Sequence, residues 1–284
     1  MRKLILATRS SRLAVAQSEI VRDALLAQGA EVSFLYVETA GDTDKKSPLQ
    51  KIGGDGLFVR KVEQAVLSGQ ADIAVHCGKD LPYRIEKGLC IAGIPDAADE
   101  RDVLLWRKGE PLSDDAVIGT GSSRRIAEYA RINANAQFAD IRGNVTTRLK
   151  KLQQGAYDGI ILAKAGLDRL NIDLQEFGHR ILETDEMIPA VCQGILAAEC
   201  REDDAEARRI LESITEQKAK QRFTIERNLF QKLQADCSKA VGVYAGIADG
   251  RCRLSALFGK KRAVAEGACG DYEKLTEEIL ARLM

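Results

Sequence analysis

The chain has no surplus of either charge: 42 lysines and arginines stand against 42 aspartates and glutamates among 284 residues. Composition therefore gives no reason to expect a nucleic-acid partner or an anionic membrane, and any preference for anions must come from where the cations sit. No uninterrupted apolar run approaches the roughly 18 residues that a spanning helix needs. The short apolar start is broken by Arg9 and Arg12, which speaks against a signal peptide. Only two histidines occur, His76 and His179, with no second one at ligand spacing, so no metal is expected. The seven cysteines (77, 90, 192, 200, 237, 252 and 269) are odd in number and scattered, with no C-x-x-C pair. That argues against a zinc site and a disulfide framework, and for a reducing, cytoplasmic setting. Low-complexity tracts and fixed-period repeats are missing too. So is a phosphate-cradling loop of the G-x-x-x-x-G-K-S/T form, because GGDGLFVR lacks the lysine and the hydroxyl.

What is present is ample core material, 45% hydrophobic residues, arranged in alternating patterns. LILAT (4–8) reads as a buried strand, followed by a helix from about Ser11 to Gln28 with Ser10 or Ser11 as its N-cap. VSFLYVET (32–39) and DIAVH (72–76) read as further strands, with a helix ending at Gly69 between them. A linker is expected over 92–101. The pattern then restarts: AVIGT, QFADI and YDGIILA as strands, with the helices SSRRIAEYARINA and NVTTRLKKLQQG between them. Strands alternating with helices imply right-handed crossovers and parallel sheets. GILAAEC (194–200) is expected to return the chain to the first unit. From 217 on, a long amphipathic helix, three strands and a last helix predict a small α+β domain. The expected fold is thus α/β, two doubly wound domains (1–95 with 195–213, and 100–192) plus a C-terminal α+β domain (217–284).

In open α/β sheets ligands sit where strands end and helices begin. Arg9 and Ser11 follow the first strand, and Lys79 and Asp80 follow the third. Thr120, Ser122, Arg124 and Arg125 follow AVIGT, Arg142, Asn144 and Arg148 follow QFADI, and Lys164 and Arg169 follow IILA. Any one such arginine is best read as a surface residue in a weak ion pair. Cations at helix starts are mildly unfavourable without an anion, however, so the repeated placement favours a polyanionic ligand, carboxylate or phosphate. Asp80 suits a general acid/base or a stabiliser of developing positive charge, and equally a helix cap. His76 reads as a hydrogen-bonded residue lining the strand end. Cys237 lies in a short polar turn, compatible with a nucleophile, although the local sequence alone does not single it out as reactive.

The ordered motifs ATRSSRLAVAQ, KIGGDGLFV, ADIAVHCGKDLP, GTGSSRR, IRGNVTTRL, YDGIILAKAGLDRL, PAVCQGILAAECR and QADCSKAVG resemble the porphobilinogen deaminase (hydroxymethylbilane synthase) family over nearly the whole chain. The resemblance implies two periplasmic-binding-protein-like α/β domains and a small cofactor-bearing domain. It also implies a transferase of porphyrin and heme biosynthesis that joins four porphobilinogens into hydroxymethylbilane, releasing ammonia, on a covalent dipyrromethane. That cofactor maps onto Cys237 through a thioether, and the catalytic aspartate onto Asp80. Implied cofactor contacts are Lys79, Thr120, Ser122, Arg124, Arg125, Arg142 and Asn144. Implied substrate contacts are Arg9, Ser11, Lys51, Phe58, Arg148, Arg169 and Gln193.

The chain departs from the family pattern at several places. Asp55 stands where a lysine is usual, Cys77 and Gly78 replace a Ser-Met pair, Gly121 replaces a serine, Asp236 replaces a glycine beside the cysteine, and Cys192 replaces another glycine. The expected enzyme is a monomer acting on a polycarboxylated pyrrole, with no nucleic acid and no membrane. The competing expectation is a non-catalytic anion- or pyrrole-binding relative, since a fold alone does not fix an activity.

Overall fold

The computed structural model describes residues 2–38, 59–234 and 239–284. The chain divides into two compact units, 1–98 with 194–224 and 99–193 with 225–284. The first part runs β1 (Lys3–Arg9), α1 (Arg12–Ala27), β2 (Glu31–Val37), α2 (Arg60–Leu67), β3 (Ile73–Cys77) and β4 (Leu89–Ala97). Then follow β5 (Asp102–Arg107), β6 (Val117–Gly119), α3 (Ser123–Ile132), β7 (Gln137–Ala139), α4 (Val145–Gln153), β8 (Gly159–Ala163), α5 (Lys164–Arg169) and β9 (Phe177–Leu182). The chain closes with β10 (Ile195–Arg201), α6 (Ala205–Ser213), α7 (Gln217–Leu233), β11 (Val241–Ala248), β12 (Arg251–Phe258), β13 (Lys261–Ala268) and α8 (Tyr272–Leu283).

In the first unit the strand order is β2-β1-β3-β10-β4. Alternation along β1 decides what each face buries. Leu4 and Leu6 join Val21 and Leu25 of α1, together with Leu211 of α6, in one core, whereas Ala7 packs with Val62 and Val66 of α2 in another. Helices thus cover both faces, as the doubly wound expectation requires. Ser11 caps α1, its side chain accepting from the Ala14 amide.

The second unit repeats the design in the order β7-β6-β8-β5-β9. All five residues of β8 are buried. Ile160 and Leu162 face a core with Leu149 and Leu152 of α4, and Ile161 faces one with Tyr129 of α3. The three-stranded sheet β11-β12-β13 falls within the same unit, with α8 packed on it and Ile188 buried beside Ala240 and Leu257. The expected α/β class with a small C-terminal sheet-and-helix portion is what the chain has.

Two expectations need correcting. Residues 92–97 are not linker but the second half of β4. Gly93 and Pro95 read as breakers, yet β4 is an edge strand, where a missing amide donor is tolerated. At Gly93 a Cβ would lie 2.9 Å from the Leu211 carbonyl oxygen, so the absent side chain lets α6 approach. The sheets are also mixed rather than parallel: β10 runs antiparallel to both β3 and β4, and β5 antiparallel to both β8 and β9.

Candidate active site

In the second unit β6 and β7 are parallel neighbours, so their C-terminal ends open onto adjacent helix starts. Thr120, nearly fully buried, accepts the Ser122 amide on its hydroxyl at 3.2 Å. Ser122 is the N-cap of α3 and accepts the Arg125 amide. Asn144 is the N-cap of α4, its Oδ1 accepting the Thr147 amide at 2.9 Å. These caps fix the first turns, and with them the backbone from which the arginines project.

Arg124 and Arg125 are both buried, and Asp102 lies between them, itself wholly buried. Arg124 Nη2 is 2.8 Å from Asp102 Oδ2 and Arg125 Nη2 is 2.7 Å from Oδ1. Arg124 also donates to the Ile188 carbonyl at 2.7 Å and Arg125 to the Ile161 carbonyl at 2.8 Å. Gln193 donates to the same Asp102 Oδ1 at 3.2 Å and to the Glu100 carbonyl at 2.6 Å. Two guanidinium groups thus share one carboxylate, which leaves a unit of positive charge in a desolvated place. Burial pulls the Arg125 pKa down.

Arg148 and Arg142 add to that charge. The Arg148 pKa is lowered to about 10, first by burial and then by repulsion from Arg125, with Arg142 acting in the same direction. Arg148 Nε donates to the Gly143 carbonyl at 2.8 Å. Among the described residues Arg142 Nη2 is buried without a hydrogen-bond partner, and Asp140 Oδ2 is 4.0 Å from its Nε. Crowded cations with unused donors are unstable company unless an anion joins them. Arg169 lies in the last turn of α5 in the same unit.

In the first unit Arg9 ends β1 and Ser11 caps α1. β3 lies beside β1 and runs parallel to it, and the chain continues into a one-turn 3-10 helix, Gly78–Asp80. Lys79 and Asp80 are exposed there. Behind the turn His76 is buried, its Nε2 3.0 Å from Glu199 Oε2, the hydrogen-bonded lining residue expected. Glu63 of α2 is buried near both; desolvation and Glu199 push its pKa up to about 7 while His76 pulls it down. Lys51, Phe58 and Cys237 lie outside the described residues, as do Asp55 and Asp236. Among the described residues no cluster of histidine, cysteine, aspartate and glutamate is arranged to hold a metal, and no helix is long and apolar enough to cross a membrane.

Sequence reasoning did not single out Asp102. An aspartate before an apolar run looks like a loop acid; only the fold reveals that it is buried against two arginines.

Residues 4–209 match the family model described as porphobilinogen deaminase, dipyromethane cofactor binding domain. The chain belongs to the porphobilinogen deaminase family. Curated porphobilinogen deaminases extend the match past residue 209. That of Roseiflexus sp. (strain RS-1) is 37% identical over 280 residues, 94% of this chain and 91% of the relative. That of Sulfurimonas denitrificans is 37% identical over 297 aligned positions, 100% of this chain and 94% of the relative. Among solved structures, a putative methionine-binding lipoprotein of Bacillus subtilis aligns with 12% identity and a TM-score of 0.47, over 77% of this chain and 92% of that one. That likeness is too distant to carry weight beside the porphobilinogen deaminase matches.

Proposed function

We infer that this chain condenses four porphobilinogens into the linear tetrapyrrole hydroxymethylbilane, releasing ammonia at each step, on a dipyrromethane joined by a thioether to Cys237. The observation that carries this reading is the crowding of Arg125, Arg142 and Arg148, with an unpartnered buried Nη2 on Arg142. Each pyrrole of such a chain bears an acetate and a propionate, so the donor set fits a poly-carboxylated oligomer. When bound, the dipyrromethane would supply the free pyrrole α-carbon at which the first substrate ring is added, each later ring joining the one before it.

The chain's own residues divide the remaining work. Arg124, Arg125 and Arg142, with Lys79, Thr120, Ser122 and Asn144, hold the dipyrromethane carboxylates. Arg9, Ser11, Lys51, Arg148, Arg169 and Gln193 receive those of the incoming substrate, and Phe58 stacks against its ring. Asp80, exposed at the end of β3, accepts the pyrrole N–H and stabilises the positive charge that develops as ammonia departs. A lobe spanning 217–284 carries the cysteine. The reaction belongs in the cytoplasm, to a monomer, without nucleic acid.

The purified protein should exceed its chain mass by one dipyrromethane, and Cys237→Ser should lose that excess. Asp80→Ala should keep the excess yet consume porphobilinogen at a small fraction of the wild-type rate. A protein of bare chain mass that bound porphobilinogen and released no ammonia would replace this reading with a non-catalytic binder.

A further inference from the structure

We propose that Asp140 is a built-in competitor for the substrate's carboxylates, seated among the arginines by the missing side chain of Gly121, and that it sets how weakly this enzyme holds its substrate. The inference rests on the arginine site described above. Asp140 follows β7 directly and Gly121 follows β6 by two residues, and the Thr120 amide donates to the Ala139 carbonyl at 2.9 Å. The two strand ends are therefore tied side by side. A Cβ on Gly121 would lie only 2.5 Å from Asp140 Oδ1. Any other residue at 121 would push the carboxylate out of the place it now holds.

That place faces cations. Asp140 Oδ2 is 4.0 Å from Arg142 Nε, and Asp140 raises the Arg148 pKa against the two arginines that lower it. Tyr157 senses the same pair: burial is the main cause of its raised pKa, Asp140 adds to it and Arg148 opposes it. The Asp140 main chain is fixed, because Tyr157 Oη donates to the Asp140 carbonyl at 2.7 Å. Its side chain is 63% exposed, and no hydrogen bond from the described residues holds the carboxylate. A substrate carboxylate arriving at Arg148 meets a like charge already present, and that charge is free to swing away. An exposed acid at this distance is a weak opponent, so the effect is a modest tuning of affinity rather than a block.

The test uses the cofactor-loaded enzyme and porphobilinogen kinetics. Asp140→Asn should lower KM about threefold, through KM rather than kcat, with the difference shrinking in ~0.5 M salt as screening removes it. Asp140→Glu, which keeps the charge, should stay near wild type, and Gly121→Ser should move KM in the same direction as Asp140→Asn by displacing the carboxylate. Arg148→Ala, run beside them, should raise KM. An unchanged or higher KM in Asp140→Asn, with Arg148→Ala impaired, would overturn the competitor role and leave the arginine site standing. If Arg148→Ala binds as well as wild type, the site itself is misassigned.

Discussion

Asp102 and Arg125 are locked at two points, with Nε at 3.0 Å and Nη2 at 2.7 Å from the same carboxylate oxygen. Since Arg124 takes the other oxygen, removing the carboxylate strands two buried cations next to each other. Asp102→Ala is expected to lower stability by about 3–5 kcal/mol, the loss seen when one partner of a buried ion pair is deleted. Asp102→Asn keeps the shape but not the charge and should fall between the two. Urea unfolding reads this as a lower midpoint at unchanged slope. A midpoint equal to wild type in Asp102→Ala would show that the carboxylate does not neutralise the pair.

Glu63 predicts an alkaline loss. Its folded-state pKa of about 7 lies above the ordinary 4.5, so the folded chain holds this proton more tightly than the unfolded one does. The contribution is complete below pH 4.5 and fades as pH rises through 7. Glu63→Gln, neutral at every pH, should be the more stable protein at pH 8 by about 3 kcal/mol and lose that advantage near pH 4. Unfolding curves at the two pH values decide it.

Asp204 carries the opposite sign. Hydrogen bonding to Arg2 is the largest influence and, helped by the Ala207 amide and Arg201, holds its pKa at about 2 against an ordinary 3.8. The charged form is favoured in the fold, so this contribution is present above pH 4 and lost as pH falls toward 2. Asp204→Asn should flatten that acid limb and cost on the order of 2 kcal/mol at neutral pH. Thermal melts between pH 2 and 7 measure both effects.

Glu226 of α7 braces two other parts of its unit. One oxygen accepts the Cys192 amide at 2.5 Å and the other the Ala245 amide at 3.2 Å. Cys192 sits at a φ of 55°, in a left-handed conformation that disfavours a side chain by roughly 1 kcal/mol or more, so this turn needs holding. Glu226→Ala leaves two amides without their acceptor and should destabilise by about 3 kcal/mol, read as a lower melting temperature.

Periodicity made β1, α1, β3 and the helices of the second unit legible, because their apolar residues recur at helical or alternating spacing. It missed the first half of β4 and all of β5 and β9, and it misread the end of β4, where Gly93 and Pro95 stand in a run that only its edge position permits. Strand direction was also out of reach: whether β10 runs with or against β3 depends on where the chain re-enters, not on local pattern. At the site, arginines after strand ends could be read from one sequence, since each follows an apolar run. Their partners could not, because Asp102 meets Arg124 and Arg125 only through the fold, and the space at Gly121 matters only once Asp140 is seen to fill it.

β10 stands between β3 and β4 although the whole stretch from 99 to 193 separates it from them in the chain. During synthesis, then, the first sheet waits. Until the ribosome has delivered residue 201, β3 has one hydrogen-bonding edge unfilled and β4, whose strand partner is β10, has none to pair with, and the helix α6 that packs on β4 has not yet been made. A nascent chain halted anywhere in the second unit should accordingly be a client for chaperones rather than a half-finished enzyme.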